Sequence, residues 1–139
     1  MTLLIAAPCS SSGKTLVSLL VAAVAAERGE GLQSFKVGPD YLDPQLLSRV
    51  SGVRCRNLDL LLCGEQWVRR SFRWWSQQQP LSLVEGVMGL FDGVGPAPMA
   101  AALRWPAALA CRFYWWWKPA ARPHLWRPWG GAFAITTPT

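Results

Sequence analysis

Short segments of strand length, rich in apolar residues, alternate with longer stretches of helical length over the first part of the chain. An unbroken apolar run covers residues 3–7, and the other segments of strand length are 32–37 and 81–85. The stretches of helical length are an Ala/Leu/Val-rich segment at 15–26, a short segment at 44–50 and a longer segment at 65–79. Strands that alternate with helices predict an α/β fold built on a parallel sheet. Three predicted strands make this sheet small, and we expect it to be incomplete.

A loop rich in polar residues or glycine follows each predicted strand. In a parallel sheet, ligands bind beyond the carboxyl ends of the strands. The first of these loops, with the start of the next helix, reads PCSSSGKT at residues 8–15. The second reads GPDYLDP at residues 38–44, and the third reads GVMGLFDG at residues 86–93. We therefore expect the three loops to contribute to one site.

The first loop fits the phosphate-binding pattern of a P-loop, except that Pro8 stands where that pattern has its first glycine. In such a loop, backbone N–H groups at a helix N-terminus point at phosphate oxygens. Lys14 would neutralise phosphate charge, and the Thr15 hydroxyl would hold Mg²⁺. The alternative is an ordinary capped helix, but an apolar strand before the loop and an Ala-rich helix after it favour nucleotide binding.

The second and third loops place charged side chains at strand ends. Lys36 precedes a turn that carries Asp40 and Asp43, and Glu85 ends the third strand. Turns rich in Asp, Gly and Pro also form without any function, and a carboxylate at a strand end is often only solvated. The chemical alternative is that Glu85 reaches the metal ion of a phosphate bound across the sheet.

Charge and aromatic residues divide the chain near Gly93. Nine Lys/Arg and eight Asp/Glu precede this residue, whereas five Lys/Arg and no acid follow it, so the net charge of +6 belongs mainly to the tail. The tail also holds six of the nine Trp and seven of the eleven Pro. If this tail has a function of its own, the two candidates are a membrane-interface segment and a nucleic-acid stacking surface.

Other function classes receive little support from the sequence. The four cysteines form no CxxC pair and no zinc-like spacing with His124, so reduced thiols are expected. The first residues lack the basic segment of a secretion signal, and no apolar run is long enough to span a bilayer. We therefore expect a cytoplasmic protein with neither a membrane nor a nucleic acid as partner.

Three motifs, in this order behind the Gly-Lys-Thr loop, resemble those of the cobyrinate a,c-diamide synthases. They are FKVGPDYLDP at 35–44, RNLDL at 56–60 and VEGVMGLFDG at 84–93. The likeness covers residues 1–93 and extends more distantly to dethiobiotin synthetases and cobyric acid synthases. It implies a P-loop NTPase-like fold of the dethiobiotin-synthetase type. It also implies an ATP-dependent, glutamine-hydrolysing amide ligase that acts on the a and c acetate carboxylates of a corrinoid in cobalamin biosynthesis.

The resemblance also assigns roles to individual residues. ATP and Mg²⁺ would be the cofactors, and cobyrinate the corrinoid partner, whereas glutamine would bind only a domain absent from this chain. Dimerisation is an open possibility for full-length members. The implied site residues are Ser11, Ser12, Gly13, Lys14 and Thr15 for ATP, Thr15 and Glu85 for the metal, Lys36 and Asp92 for catalysis, and Tyr41, Leu42 and Asp43 for the substrate.

After Gly93 the chain departs from the family, which continues with an Ala-rich helix, a buried strand and later an amidotransferase domain. In their place residues 111–119 read CRFYWWWKP. We interpret residues 1–93 as part of the ATP-binding amidoligase domain and 94–139 as a tail out of frame after a frameshift between Val94 and Trp105. Such a chain is expected to be inactive alone. The functional alternative is a partitioning-type switch ATPase without ligase chemistry.

The genetic code makes the frameshift testable. Reading each new codon from the third base of the old one turns residues 113–118 into Leu-Leu-Val-Val-Glu whichever codons encode them, because Trp has one codon and Phe, Tyr and Lys have two each. Residues 110–119 as a whole are then compatible with Leu-Pro-x-Leu-Leu-Val-Val-Glu-Ala, in which the first position can also be Met or Val and the last Thr. We predict that sequencing the coding DNA from the codon of Glu85 past the stop finds this strand in the shifted frame, followed by an amidotransferase domain. Early stops in the shifted frame would show that the Trp-rich tail is genuine.

Overall fold

The computed structural model describes residues 1–7 and 9–89, and the backbone of 112–115 and 134–135. Strands and helices alternate over most of this length. The elements are β1 (Thr2–Ala6), α1 (Lys14–Glu27), β2 (Leu32–Val37), α2 (Leu42–Ser51), β3 (Arg56–Leu58), α3 (Leu60–Cys63), α4 (Glu65–Ser76), β4 (Leu81–Glu85), β5 (Arg112–Trp115) and β6 (Ala134–Ile135).

The strands form one sheet in the order β3-β2-β4-β1-β5-β6. All neighbours from β3 to β5 are parallel, and β6 is antiparallel to β5. The predicted α/β fold with a parallel sheet is therefore confirmed. The sheet is larger than the three predicted strands, because β3 joins one edge and the backbone of β5 pairs with β1. The proposed site of the frameshift, 94–105, lies outside the described residues.

Helices cover both faces of the sheet, which explains why consecutive residues of its central strands are buried. On one face, α4 packs Val68 and Phe72 against β2 and β3, where Phe35 and Leu58 are fully buried. The opposite face is covered by α1 and α2, whose buried side chains include Ala22 and Leu47. Every residue of β2 is buried, because this strand lies between two others and under both helical layers.

The predicted helices are present with small changes at their ends. The segment predicted at 44–50 becomes α2, and the segment predicted at 65–79 becomes α4, which ends at Ser76. β3 and α3 were not predicted, because they have only three and four residues and carry no resolvable periodicity. None of the helices in the described ranges has the length and apolar character needed to cross a bilayer.

Substitution of Phe72 should test the core on the α4 face. Its ring lies 4.9 Å from that of Phe35, and only 5% of the residue is exposed. We expect Phe72→Ala to lower the free energy of unfolding by about 3–5 kcal/mol in urea titrations, since it removes a buried aromatic side chain and leaves a cavity. Trp74→Ala on the same helix is the control, because 64% of Trp74 is exposed. Equal losses in the two variants would contradict this packing.

Candidate functional site

The loop between β1 and α1 is shaped by local polar contacts and a left-handed glycine. Gly13 has φ of 83°, a conformation that side chains rarely adopt, and it directly precedes the first residue of α1. The Ser12 hydroxyl donates to the carbonyl of Cys9 at 2.8 Å, and Lys14 Nζ donates to the same carbonyl at 3.1 Å. These bonds hold the loop in a curve around the start of the helix.

The N-terminus of α1 is suited to an anion. No acidic side chain lies in its first turn, and within the described residues no side chain caps its N–H groups. The first N–H groups of a helix have no intrahelical partner and carry partial positive charge. Lys14 adds a full positive charge at this end, so the loop and helix start present donors and a cation to the same space.

Lys36 and Glu85 come together because β2 and β4 pair in register. The two residues are direct partners on adjacent parallel strands, so their side chains leave the sheet on the same face. Lys36 Nζ lies 2.8 Å from Glu85 Oε1. Lys36 is 3% exposed and Glu85 is 0% exposed, so this ion pair is buried at the carboxyl ends of the strands.

Thr15 from α1 and Asp43 from α2 complete the group around Lys36. Asp43 Oδ2 is 2.6 Å from Lys36 Nζ. The Thr15 hydroxyl lies 2.6 Å from Glu85 Oε1 and 3.1 Å from Asp43 Oδ2. A hydroxyl has one proton, so the shorter distance favours donation to Glu85. Residues that are distant in the sequence and belong to four elements therefore meet in one hydrogen-bonded cluster.

Asp40 is a further member of the cluster that sequence reasoning did not assign to the site. Its Oδ1 accepts hydrogen bonds from the N–H groups of Leu42 and Asp43, which fixes the start of α2. Its Oδ2 lies 3.4 Å from Lys36 Nζ. The spacing of Asp40 and Asp43 on either side of a helix start is the signal from which this role could have been inferred.

Burial and ion pairing shift the pKa of Lys36 in opposite directions, and they do the same for the pKa of Asp43. Burial lowers the pKa of Lys36, but hydrogen bonds and charge from Asp43 and Glu85 outweigh it, so the pKa lies above its ordinary value. Burial raises the pKa of Asp43, whereas Lys36, Thr15 and Asp40 lower it, and the net result is a lowered pKa. Both groups are therefore charged in the neutral range.

These residues surround a cleft of about 380 Å³ at the carboxyl ends of the strands. We call it the loop cleft. Its lining consists of Ser10, Ser11, Ser12, Gly13, Lys14, Thr15, Lys36, Asp40, Asp43, Val87 and Met88. The volume falls in the range of small-molecule sites.

The structure brings most of the predicted site residues together. The five residues predicted to bind ATP line the loop cleft with Lys36 and Asp43, and Glu85 lies buried against Lys36 and Thr15. Tyr41 and Leu42 lie between Asp40 and Asp43 with their side chains exposed to solvent. Asp92, also predicted to be catalytic, lies outside the described residues.

The residue types present fit a divalent cation bound together with phosphates. The described residues contain no group of three or more His, Cys, Asp or Glu able to hold a metal by themselves. Mg²⁺ commonly uses one or two protein oxygens together with phosphate oxygens and water. Glu85 Oε2 is buried without a hydrogen-bond partner, and the Thr15 hydroxyl lies next to this carboxylate, so two oxygen ligands are close together.

Comparison with known proteins finds close relatives of the first two thirds of the chain. The cobyrinate a,c-diamide synthase of Synechocystis sp. is 52% identical over 94 residues, 68% of this chain and 20% of the relative. That of Syntrophotalea carbinolica is 47% identical over 100 residues, 72% of this chain and 22% of the relative. The hydrogenobyrinate a,c-diamide synthase of Stutzerimonas stutzeri is 48% identical over 101 residues, 73% of this chain and 23% of the relative.

The chain is a relative of the a,c-diamide synthases. The resemblance recognised in its sequence motifs is thus confirmed. The chain spans about a fifth of the length of the a,c-diamide synthases it matches. No protein-family model matches the sequence.

The lowered pKa of Asp43 predicts a pH-dependent contribution to stability. A carboxyl whose pKa is lowered by folding stabilises the protein above its unfolded value of about 3.9 and loses this effect as the pH falls through the folded value. We expect Asp43→Asn to lower the free energy of unfolding at pH 7 by about 1.5–3 kcal/mol, since it removes a charged hydrogen-bond partner of Lys36.

The difference between Asp43→Asn and the unsubstituted chain should shrink as the pH falls below 4 in urea titrations, because Asp43 then becomes protonated. Lys36 has a raised pKa, so its contribution is complete below the ordinary range of lysine and is lost only as the pH rises through its folded value. Glu30→Gln is the control for the loss of one carboxylate, as the Glu30 side chain is exposed. A constant difference between pH 7 and pH 3 would contradict the ion pair.

Proposed function

We propose that residues 1–93 form the ATP-binding part of an a,c-diamide synthase. The activity would be the ATP-dependent amidation of the a and c carboxylates of a corrinoid in cobalamin biosynthesis. One observation carries the proposal: the N-terminus of α1 with Lys14 and Thr15 borders the same cleft as Lys36 and Asp43, and Glu85 is buried in contact with Lys36 and Thr15. The proposed fold class is a P-loop NTPase-like fold of the dethiobiotin-synthetase type.

The loop cleft would bind the polyphosphate of ATP. The N–H groups at the start of α1 and the ammonium of Lys14 would hold its phosphate oxygens, with Ser11, Ser12 and Gly13 shaping the loop. Thr15 and Glu85 would hold Mg²⁺, which neutralises phosphate charge when bound. The Asp43, Asp40 and Glu85 carboxyl groups outnumber the Lys36 ammonium they surround, and this arrangement favours the addition of a cation.

The reaction would proceed by phosphorylation of the substrate carboxylate. An oxygen of that carboxylate attacks the γ-phosphorus, the bond to the β-phosphate oxygen breaks, and ADP leaves. Ammonia then attacks the acyl carbon, the bond between this carbon and the phosphoryl oxygen breaks, and phosphate leaves with the proton that ammonia loses. Lys36, already buried beside the cleft, would offset charge on the transferred phosphoryl group.

The substrate would approach from the side of the second loop. Tyr41 and Leu42 are exposed there, 80% and 72% respectively, next to Asp43 at the edge of the cleft. Adjacent exposed apolar side chains form a patch, and such patches are typical of binding surfaces. We assign Tyr41, Leu42 and Asp43 to corrinoid binding and Asp92 to catalysis.

The remaining assignments follow from the same proposal. Glutamine would supply ammonia in a domain outside this chain, so the chain alone is expected to lack synthase activity. Residues 94–139 would be out of frame. The full-length protein would act in the cytoplasm, without a membrane or nucleic-acid partner. A partitioning-type switch ATPase would share nucleotide binding but would not bind a corrinoid, and corrinoid binding therefore separates the two functions.

Nucleotide binding by this chain tests the proposal. Calorimetric titration with ATP should show binding that strengthens with Mg²⁺. We expect Lys14→Gln to weaken ATP binding about 10–100-fold, because a charged hydrogen-bond donor to phosphate is lost. Thr15→Val keeps the size of the side chain, and it should abolish the effect of Mg²⁺ while ATP alone still binds.

Arg28→Gln is the matched control, because Arg28 follows α1 at the end opposite to the loop cleft. This variant should bind ATP with unchanged affinity. ATP affinity that is undetectable, or equal in Lys14→Gln and Arg28→Gln, would refute the assignment of the loop cleft to nucleotide.

A further inference from the structure

A second cleft lies at the sheet edge formed by β3. It has a volume of about 400 Å³ and opens between β3 and α4. We call it the edge cleft. The residues that bear on its chemistry are Arg54, Arg56, Asn57, Trp67, Ser71 and Trp75. Two guanidinium groups and two indole rings in one cleft form a chemically specific combination.

Arg56 is held in place by an aromatic side chain rather than by an acid. Its Cζ lies 3.7 Å from the centroid of the Trp75 ring, which is close cation–π stacking. Trp75 in turn packs against the core on the α4 face. The guanidinium plane is therefore fixed before any ligand arrives, and a fixed planar donor loses little entropy on binding.

The positive charge of the edge cleft is not offset by nearby carboxylates. Among the described residues, neither Arg54 nor Arg56 takes part in an ion pair. Arg56 Nε is buried without a hydrogen-bond partner. Burial and the charge of Arg54 lower the pKa of Arg56, which indicates that the two cations lie in an unfavourable electrostatic environment. A bound anion would offset the positive charge of Arg54 and Arg56.

The indole rings add an apolar wall to this cationic site. Trp67 lies on the helix that borders the cleft, and 51% of this large aromatic residue is exposed. Carboxylates pair with guanidinium groups in a bidentate manner, and apolar rings cover exposed indole. The combination fits a carboxylate carried on a large apolar frame better than a small, fully hydrated anion.

The hydrogen bonds of Asn57 connect the edge cleft with the loop that borders the loop cleft. Asn57 lines the edge cleft, and its Nδ2 donates to the carbonyls of Gly38 at 2.9 Å and Asp40 at 2.7 Å. Asp40 lines the loop cleft. A ligand large enough to contact both clefts would therefore pass close to Asn57.

We propose that the edge cleft binds a carboxylate side chain of the corrinoid that is not being amidated. Arg54 and Arg56 would bind the carboxylate, and Trp67 would contact the apolar macrocycle. This inference rests on the proposed function, because it assumes that a corrinoid polycarboxylate is the substrate. It adds a binding site at β3 and α4 to the one expected at the second loop.

The test compares cobyrinate with its fully methylated ester, which keeps the macrocycle but lacks negative charge. With the full chain, equilibrium dialysis should show cobyrinate binding that is weakened about tenfold by Arg54→Gln and by Arg56→Gln. The ester should bind weakly and be insensitive to both changes. Arg56→Lys should recover part of the affinity, because it retains the charge but not the planar fork. Arg73→Gln is the matched control, since Arg73 is an exposed arginine of α4 outside the cleft lining.

The outcomes separate this inference from the proposed function. If ATP binds and depends on Lys14, but cobyrinate affinity is the same in Arg54→Gln, Arg56→Gln and Arg73→Gln, the edge cleft is not a corrinoid site and the nucleotide assignment stands. Undetectable cobyrinate binding overturns the inference as well. Loss of ATP binding in Arg56→Gln would show a structural effect of the substitution and would also count against the inference. Unchanged ATP binding together with tenfold weaker cobyrinate binding supports the inference.

Discussion

The ammonium group of Lys36 is buried between carboxylates from β4 and α2, and the geometry of the site depends on this contact. Lys36 and Glu85 face each other because β2 and β4 pair in register, and Asp43 reaches them because Asp40 fixes the start of α2. Burying one of these charges alone would be costly, so the strands, the second loop and the first turn of α1 are tied to one arrangement.

Much of this arrangement could be predicted from the sequence, and the parts that could not be predicted have physical causes. The strands β1, β2 and β4 were visible as segments of strand length that end in loops rich in polar residues or glycine, and α1 as a long Ala/Leu/Val-rich stretch. In contrast, β3 has three residues, one of them an exposed asparagine, so no periodicity marks it. The three loops were predicted to share one site, but the contacts around Lys36 were not predicted, because strand order and register are not readable from local patterns.

The motif RNLDL shows how a recognised pattern can stay without a role until the structure is known. Asn57 bonds to the backbone of the second loop, Asp59 caps α3 through the N–H groups of Leu61 and Leu62, and Arg56 stacks on Trp75. Each contact joins residues that only the fold brings together. The segment therefore supports the loop cleft on one side and forms the edge cleft on the other.

The position of β1 inside the sheet has a consequence for synthesis of the chain. Thr2 pairs with Ser82, so β1 cannot pair with β4 until about eighty more residues have been synthesised. At roughly 5–20 residues per second this delay lasts on the order of 4–16 s. During that time an apolar strand has both edges unpaired, and such edges are sites of aggregation. Chaperone capture of the nascent chain should therefore be strongest before Glu85 is made and decline once β4 can pair with β1.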